Sequence, residues 1–266
     1  MTTATVDQMG GATRSVPARI PQSRVVGIEL RKMFDTRSGF WLMASIVVTA
    51  LLTTAAVLLF GGQDALVYDN FAAAVGVPMT IILPVVAILS VTSEWSQRSG
   101  LGTFTLVPHR GRVMAAKAAA TFVVGVVSMA VALAVGALGN LVGAAMNGID
   151  PVWDLSAAHM LTIVVADLLG MFLGFTLGVL ARSSAAAVVG YFVITFVLPP
   201  LSALLAASQE WYRHAQPWVD FTVARNVLYD GVPSAQQWAQ LAVASSLWLL
   251  LPLAVGLVML RRAEVV

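Results

Sequence analysis

The 266-residue sequence contains no cysteine and only three histidines, His109, His159 and His214. Without cysteine there is no disulfide and no thiolate metal ligand, and the histidines lack the spacing of a zinc site. The sequence also has no G-x-x-x-x-G-K-[ST] phosphate loop and no G-x-S-x-G nucleophile motif. We therefore expect no catalytic centre, no metal site and no cofactor bound by this chain.

Charge is scarce as well, and apolar residues take its place. Only 11% of the residues are charged, 59% are hydrophobic and the mean hydropathy is +0.86, whereas an average soluble domain has about 25% charged residues. A helix that spans a bilayer needs about 20 apolar residues. Six runs of about that length contain no lysine or arginine: residues 39–60, 71–92, 118–146, 158–180, 185–207 and 238–260. They predict an all-α integral membrane protein with six transmembrane helices.

The basic residues predict the orientation of these spans, because lysine and arginine concentrate in cytoplasmic segments. If the N-terminus is cytoplasmic, 13 of the 15 basic residues lie inside, and only Arg213 and Arg225 lie outside. Both termini are then cytoplasmic. Topology explains the net charge of +2, so no nucleic-acid partner is expected. Residues 1–24 are polar and lack the apolar core of a signal peptide, which predicts a disordered cytoplasmic tail.

A short amphipathic segment precedes the first span. Val26, Leu30, Met33 and Phe34 recur on one helical face, while Glu29 and its charged neighbours fall mostly elsewhere. This pattern predicts an interfacial helix that lies on the cytoplasmic surface of the membrane. An ordinary charged lead-in to the first span is the alternative.

Prolines interrupt two of the spans. Pro78 and Pro84 lie in the second span, and Pro199 and Pro200 lie near the outer end of the fifth. Proline removes a backbone donor and kinks or breaks a helix. We therefore expect the fifth span to break there, so that residues 201–237 form a partly structured external element.

The fourth span carries one acid among regularly spaced glycines. Gly170, Gly174 and Gly178 recur every four residues, which allows close helix packing, and Asp167 shares their face. A central Asp costs about 2.5–3.5 kcal/mol to insert, so it should face protein or water. Two interpretations stay open: a polar contact that lines a substrate path or locks two helices, or a protonated, packed Asp without a transport role.

The polar segment between the second and third spans has an ordered series of residues. These are Glu94, Arg98, Gly102, Thr103, Pro108, Arg110, Arg112 and, where the next span begins, Lys117. The order resembles the permease subunits of type 2 ABC exporters, which have Glu and basic residues, a Gly-Thr turn, a short apolar helix, Pro followed by Arg, and then Lys. The amphipathic segment, the six spans and the sequence ARSSAAA at 181–187 are similar to the same family.

The resemblance implies that residues 25–266 form a type 2 ABC transmembrane domain in the bacterial plasma membrane. Two copies of the chain would stand side by side above two ATPase subunits, which bind ATP and Mg. The polar segment would be the coupling helix that contacts an ATPase, with Phe104 and Leu106 among its anchors. The amphipathic helix would brace it, and short re-entrant external helices would follow the fifth span.

The expected mechanism is alternating access driven by ATP in the partner subunits. Spans two and five would line the cavity, with Met79, Phe192 and Phe196 as apolar walls and Asp167 as a polar contact. A hydrophobic or amphipathic substrate would then leave the cytoplasm or the inner leaflet. The alternatives are a membrane partner of an ATPase in signalling or envelope remodelling, and a proton-coupled transporter or intramembrane enzyme that uses Asp167.

Overall fold

A computed structural model describes residues 21–35, 37–96 and 110–262, and these residues are almost entirely helical. Between α2 and α3 lies a short 3₁₀ turn, Gln63–Ala65. The helices of the described residues, in chain order, are α1 (Gln22–Asp35), α2 (Arg37–Phe60), α3 (Tyr68–Ser96), α4 (Arg110–Asn147), α5 (Ala157–Ala181), α6 (Ser184–Phe192 and Leu198–Ser208 around a π-helical segment, Val193–Val197), α7 (Glu210–Val219), α8 (Phe221–Asp230) and α9 (Ala235–Ser245 and Leu251–Arg262 around a π-helical segment, Ser246–Leu250).

Six of these helices are long and apolar enough to cross a membrane: α2, α3, α4, α5, α6 and α9. The protein is therefore an all-α, multi-pass membrane protein, as its hydropathy predicted. The largest difference is in the third span, predicted from residue 118, because α4 already begins at Arg110. With 38 residues and a rise of about 1.5 Å per residue, α4 is about 57 Å long. It is far longer than the bilayer core of about 30 Å, so part of it lies outside the hydrocarbon.

The centre of the fold is α5, which packs along α3 and also contacts α6, α8 and α9. Its glycines let α3 approach closely. A Cβ atom added at Gly174 would lie 2.5 Å from the backbone oxygen of Pro84, and one at Gly178 would lie 3.3 Å from Val91. Dispersion contacts hold such membrane helices together, since lipid chains are as apolar as the side chains themselves. The glycine face of α5 therefore sets the spacing of the two central helices.

The prolines of α6 do not end the helix, so the expected break is wrong. Pro199 and Pro200 follow the π-helical segment Val193–Val197 after one intervening residue, Leu198, and the helix continues until Gln209. A proline ring clashes with the carbonyl four residues earlier, and this carbonyl falls in the π-helical segment, where the backbone is wider. In α9, Pro252 follows a π-helical segment in the same way.

After Gln209, α7 and α8 form a helical hairpin with its tip at Asp220. The Asp220 side chain accepts hydrogen bonds from the backbone of Thr222 (2.9 Å) and Val223 (3.1 Å), and so caps the N-terminus of α8. The first helix of the hairpin runs back along α6. The Tyr212 hydroxyl lies 2.9 Å from that of Ser202 on α6.

The tip of this hairpin lies beside the middle of two spanning helices. Thr222 donates to the carbonyl of Ile194 in α6 (3.5 Å), and Trp248 in α9 donates from Nε1 to the carbonyl of Val219 (2.8 Å). The ten residues of α7 cover about 15 Å. The hairpin therefore reaches about halfway along α6.

The close approach at Gly174 generates a stability prediction. Gly174→Ala should destabilise the protein by about 1–3 kcal/mol, because the added methyl meets backbone that cannot rotate away. Gly76→Ala on α3 is the matched control, since nothing lies within 4 Å of a Cβ atom there. Thermal unfolding midpoints in detergent measure both variants. Equal midpoints for the two would contradict the packing described.

Candidate functional site

A buried ion pair joins α1 to α4. Lys117 Nζ lies 2.6 Å from Glu29 Oε2, and the same ammonium donates to the carbonyl of Ser90 in α3 (3.0 Å). Lys32 Nζ binds the other carboxylate oxygen of Glu29 at 2.7 Å. Glu29 is 4% exposed and Lys117 is 2% exposed. These four residues form what we call the polar junction, and it joins α1, α3 and α4 at one point.

A second contact holds α1 along α4. The Gln22 side chain donates from Nε2 to the carbonyl of Arg112 (2.9 Å) and accepts a hydrogen bond from Arg112 Nε (3.2 Å). Gln22 lies about two helical turns before Glu29. Two separate contacts therefore fix both the position and the direction of α1 on α4.

The charges of the polar junction are complementary. Burial raises the pKa of the Glu29 carboxyl, but attraction to Lys117 and hydrogen bonds from Lys117 and Lys32 bring the pKa below its ordinary value. Such a pair stabilises a fold only while both partners are present, because either charge alone would be buried without compensation. At neutral pH the carboxylate is ionised and the pair is complete.

This geometry corrects the expected orientation of α1. The buried residues of the helix are Val25 and Glu29, one turn apart, although the apolar pattern placed Glu29 away from the packed face. The predicted apolar face lies beside the buried one and is only partly covered: Val26, Leu30 and Met33 are half-buried, and Phe34 is 50% exposed. The hydropathy pattern gives no sign that Glu29 is buried, because its partner on α4 is 88 residues away in the sequence.

The predicted ATPase-coupling residues lie at the end of α3, at the start of α4 and in the sequence between these two helices. Glu94 belongs to the last turns of α3, whereas Arg110 and Arg112 lie in the first turn of α4 and not in a loop. The remaining predicted coupling residues lie outside the described residues: Arg98, Gly102, Thr103, Phe104, Leu106 and Pro108. Ser90 and Lys117 are thus on either side of the segment 97–109. The polar junction fixes both flanks of that segment relative to α1.

A second polar cluster surrounds Asp167 in α5. Tyr229 on α8 donates to Asp167 Oδ1 at 3.0 Å. Arg225 on the same helix is 3% exposed, and a Cβ atom added at Gly170 would lie 2.5 Å from its Nη1. The Arg225 guanidinium also stacks on the rings of Phe221 (5.8 Å) and Tyr229 (6.0 Å). Gly170 therefore makes room for a guanidinium, a role different from that of the other two glycines.

Arg225, which the sequence placed in an external segment, is buried against α5 and is not exposed at a surface. The sequence also gave Asp167 no basic neighbour within the membrane, whereas α8 places Arg225 one turn of α5 away, at Gly170. Arg225 and Tyr229 are four residues apart and so share a face of α8. The sequence shows this four-residue spacing, but no nearby residue indicates which helix the shared face contacts.

The four residues predicted to line a substrate path do not share one surface. Met79 is fully buried in the core, and Asp167 is 1% exposed and bound to Tyr229. Phe192 and Phe196 stack with their ring centroids 5.5 Å apart on a largely exposed face of α6. Within the described structure, only the two phenylalanines remain available to lipid, a substrate or a second chain.

The polar junction leads to a prediction on the docking of α1. Lys117→Met should destabilise the protein by about 3–5 kcal/mol, because it leaves the Glu29 carboxylate buried with its main partner removed. The double variant Glu29→Met with Lys117→Met should regain most of this loss. Thermal midpoints and the rate of tryptic cleavage at Arg31 report the effect. Lys32→Met is the control and should cost under about 1 kcal/mol, because its side chain is 44% exposed.

The pH dependence separates a charge effect from a packing effect. Since the pKa of Glu29 is lowered in the fold, the stability from the pair is complete above the ordinary carboxyl pKa and is lost as pH falls through the lowered one. Docking of α1 should therefore loosen in acid, and the double-methionine variant should lack this step. An identical acid profile in both proteins would contradict the role given to the pair.

The cluster around Asp167 leads to a prediction on the hairpin. Arg225→Ala should lower the stability by about 3 kcal/mol, because it leaves a cavity beside Gly170 and removes the positive charge near a buried acid. Adding Asp167→Asn should recover part of the loss, since the amide needs no counter-charge. Asn226→Ala, at an exposed neighbouring position, should change the thermal midpoint little. Equal effects at residues 225 and 226 would show that Arg225 does not hold the hairpin.

Comparison with known proteins adds no identification. No protein-family model matches the sequence, and no curated protein matches it either.

Proposed function

We propose that the chain is the permease subunit of an ATP-driven exporter of the type 2 ABC family, located in the bacterial plasma membrane. The observation that carries the proposal is the polar junction, which ties α1 to the helices on both sides of the segment 97–109. A force applied to that segment by a partner would reach α1, α3 and α4 together. This is what a subunit driven from outside the membrane requires.

The charge distribution supports a cytoplasmic location for the junction. With both termini inside, the ends of α3 and α4 that carry the polar junction lie on the cytoplasmic side, together with most basic residues. This orientation places two basic residues outside, and one of them, Arg225, is buried against α5. Only Arg213 then remains as a basic residue of the external surface.

The motor is an ATPase in a separate subunit, since this sequence has no phosphate loop. The segment 97–109 offers Phe104 and Leu106 as apolar anchors for a groove on that subunit, flanked by Glu94, Arg98 and Arg110. Helix α4 begins directly after the segment and is continuous over about 57 Å. A rigid helix of this length carries a displacement at the cytoplasmic surface across the whole bilayer.

The external half of the permease contains the α7–α8 hairpin, which would open and close during transport. In the proposed orientation the α7–α8 hairpin enters the membrane from outside and turns near its middle, as a pair of re-entrant helices. Its backbone and polar groups are paired with α5, α6 and α9, which is the condition for irregular structure at this depth. The exposed face of α6 with Phe192 and Phe196 would meet the second permease copy and a hydrophobic or amphipathic substrate.

The proposal predicts a partner ATPase and specific uncoupling. The tagged chain, purified from its native membrane, should retain an ATPase that lacks spans of its own, and mass spectrometry identifies it. Glu94→Ala and Arg98→Ala should uncouple ATP turnover from transport of lipophilic substrates in liposomes, while the level in the membrane stays normal. Arg213→Ala, at the opposite end of the protein, is the matched control.

Three outcomes decide against the proposal. A chain that is active alone, or that retains no ATPase, is not a permease of this type. If Asp167→Asn abolishes activity and Glu94→Ala has no effect, a proton-coupled transporter or an intramembrane enzyme is the better description. Retention of an ATPase with no solute transported would instead identify a signalling or remodelling complex.

A further inference from the structure

We propose that a cavity between α6, α9 and the α7–α8 hairpin binds a lipophilic cation, with the Asp220 carboxylate as its counter-ion. The ligand class is an amphiphile with one alkyl chain and an ammonium group. Binding of this ligand requires no other protein subunit. That such a cation is the exported substrate rests on the proposed function.

The cavity has the size and shape of a site for an alkyl chain. Its volume is about 380 Å³, within the range of about 300–1,000 Å³ for small-molecule sites. One wall is a face of α6 formed by Ile194, Leu198, Leu201 and Leu205. From the first to the last of these residues the helix rises about 16 Å, which is close to half of a bilayer core of about 30 Å. An alkyl chain would lie along this wall, with the ammonium at its Ile194 end, beside the hairpin tip.

The charge of the cavity favours a cation. Asp220 is a lining residue, and no lysine, arginine or histidine among the described residues lines the cavity. Arg225, the nearest basic side chain along α8, stacks on the ring of Phe221 and contacts α5 at Gly170. Its charge is therefore directed towards α5. The electrostatic potential at the hairpin tip then comes from Asp220, the one charged side chain among the described residues that line the cavity.

One oxygen of Asp220 is available to a ligand. Both backbone bonds of the helix cap fall on Oδ1, and Oδ2 makes no hydrogen bond to the described residues. Trp248 also lines the cavity, and aromatic faces bind alkylammonium groups through cation–π attraction. An ammonium at the tip would thus have a carboxylate oxygen and the Trp248 ring as neighbours.

Asp220→Asn is the decisive variant, because asparagine caps a helix as well as aspartate does. It removes the charge and keeps the two cap bonds. Leu201→Trp is the second variant and fills the cavity while Asp220 stays intact. Thermal midpoints of both variants confirm that the fold is retained before binding is compared.

The experiment uses the full chain, without an ATPase, in nanodiscs of zwitterionic lipid. Binding of radiolabelled dodecyltrimethylammonium is measured, with dodecanol and dodecyl sulfate as neutral and anionic probes of the same chain length. Asp220→Asn should weaken binding of the cation about tenfold and leave dodecanol unchanged. Leu201→Trp should weaken both probes.

The proposal is overturned if Asp220→Asn leaves binding of the cation unchanged, or if dodecyl sulfate binds as well as the ammonium probe. It is also overturned if native mass spectrometry finds a phospholipid that cannot be displaced by the cation and is lost in Leu201→Trp. Because no ATPase takes part, failure of these assays leaves the proposed exporter untouched. Failure to find an ATPase likewise leaves the binding site untouched.

Discussion

A charge removed from water must find a partner inside the protein, and this constraint organises both ends of the molecule. At one end, Glu29 and Lys117 are buried together and draw α1, α3 and α4 to a single point. At the other, Asp167 is buried with Tyr229 bound to it and Arg225 close by, and these contacts bring the α7–α8 hairpin against α5. The apolar helices alone have no such preference, since they are equally well solvated by lipid. The few polar contacts, together with the close packing of α3 on the glycines of α5, therefore decide which helix lies beside which.

The spans were predictable because hydropathy is a local property of the chain. Twenty apolar residues in a row have few alternatives to a membrane helix, and the six predicted runs agree with α2 to α6 and α9, apart from the early start of α4. The proline rule was applied locally too, but it failed in α6, where a π-helical segment accommodates the ring of the following proline. A rule for ideal α-helices does not anticipate this adjustment.

The polar contacts were not predictable in the same way, because their partners are distant in sequence. Lys117 and Glu29 are 88 residues apart, and Tyr229 and Asp167 are 62 apart. In the sequence, charge or a position beside a span marks Glu29, Lys117 and Asp167, whereas Tyr229 has no local feature that marks it. To predict which residues pair, one must know how each helix is rotated about its axis. A pattern of apolar residues defines that rotation only to within a broad face. Glu29 shows the result, since it lies just beside the apolar face and is nevertheless buried.

Helix α3 connects the two ends. Ser90 accepts from Lys117 in the polar junction, and Thr80, about 15 Å away along the same helix, accepts from the hydroxyl of Tyr191. Pro84 lies between them and is held against Gly174 of α5. Proline leaves one backbone carbonyl of a helix without its usual donor, so α3 bends more easily at Pro78 and Pro84 than elsewhere. A movement at the junction would thus reach the half of the molecule that contains the α7–α8 hairpin through a helix that is held against α5 at Pro84.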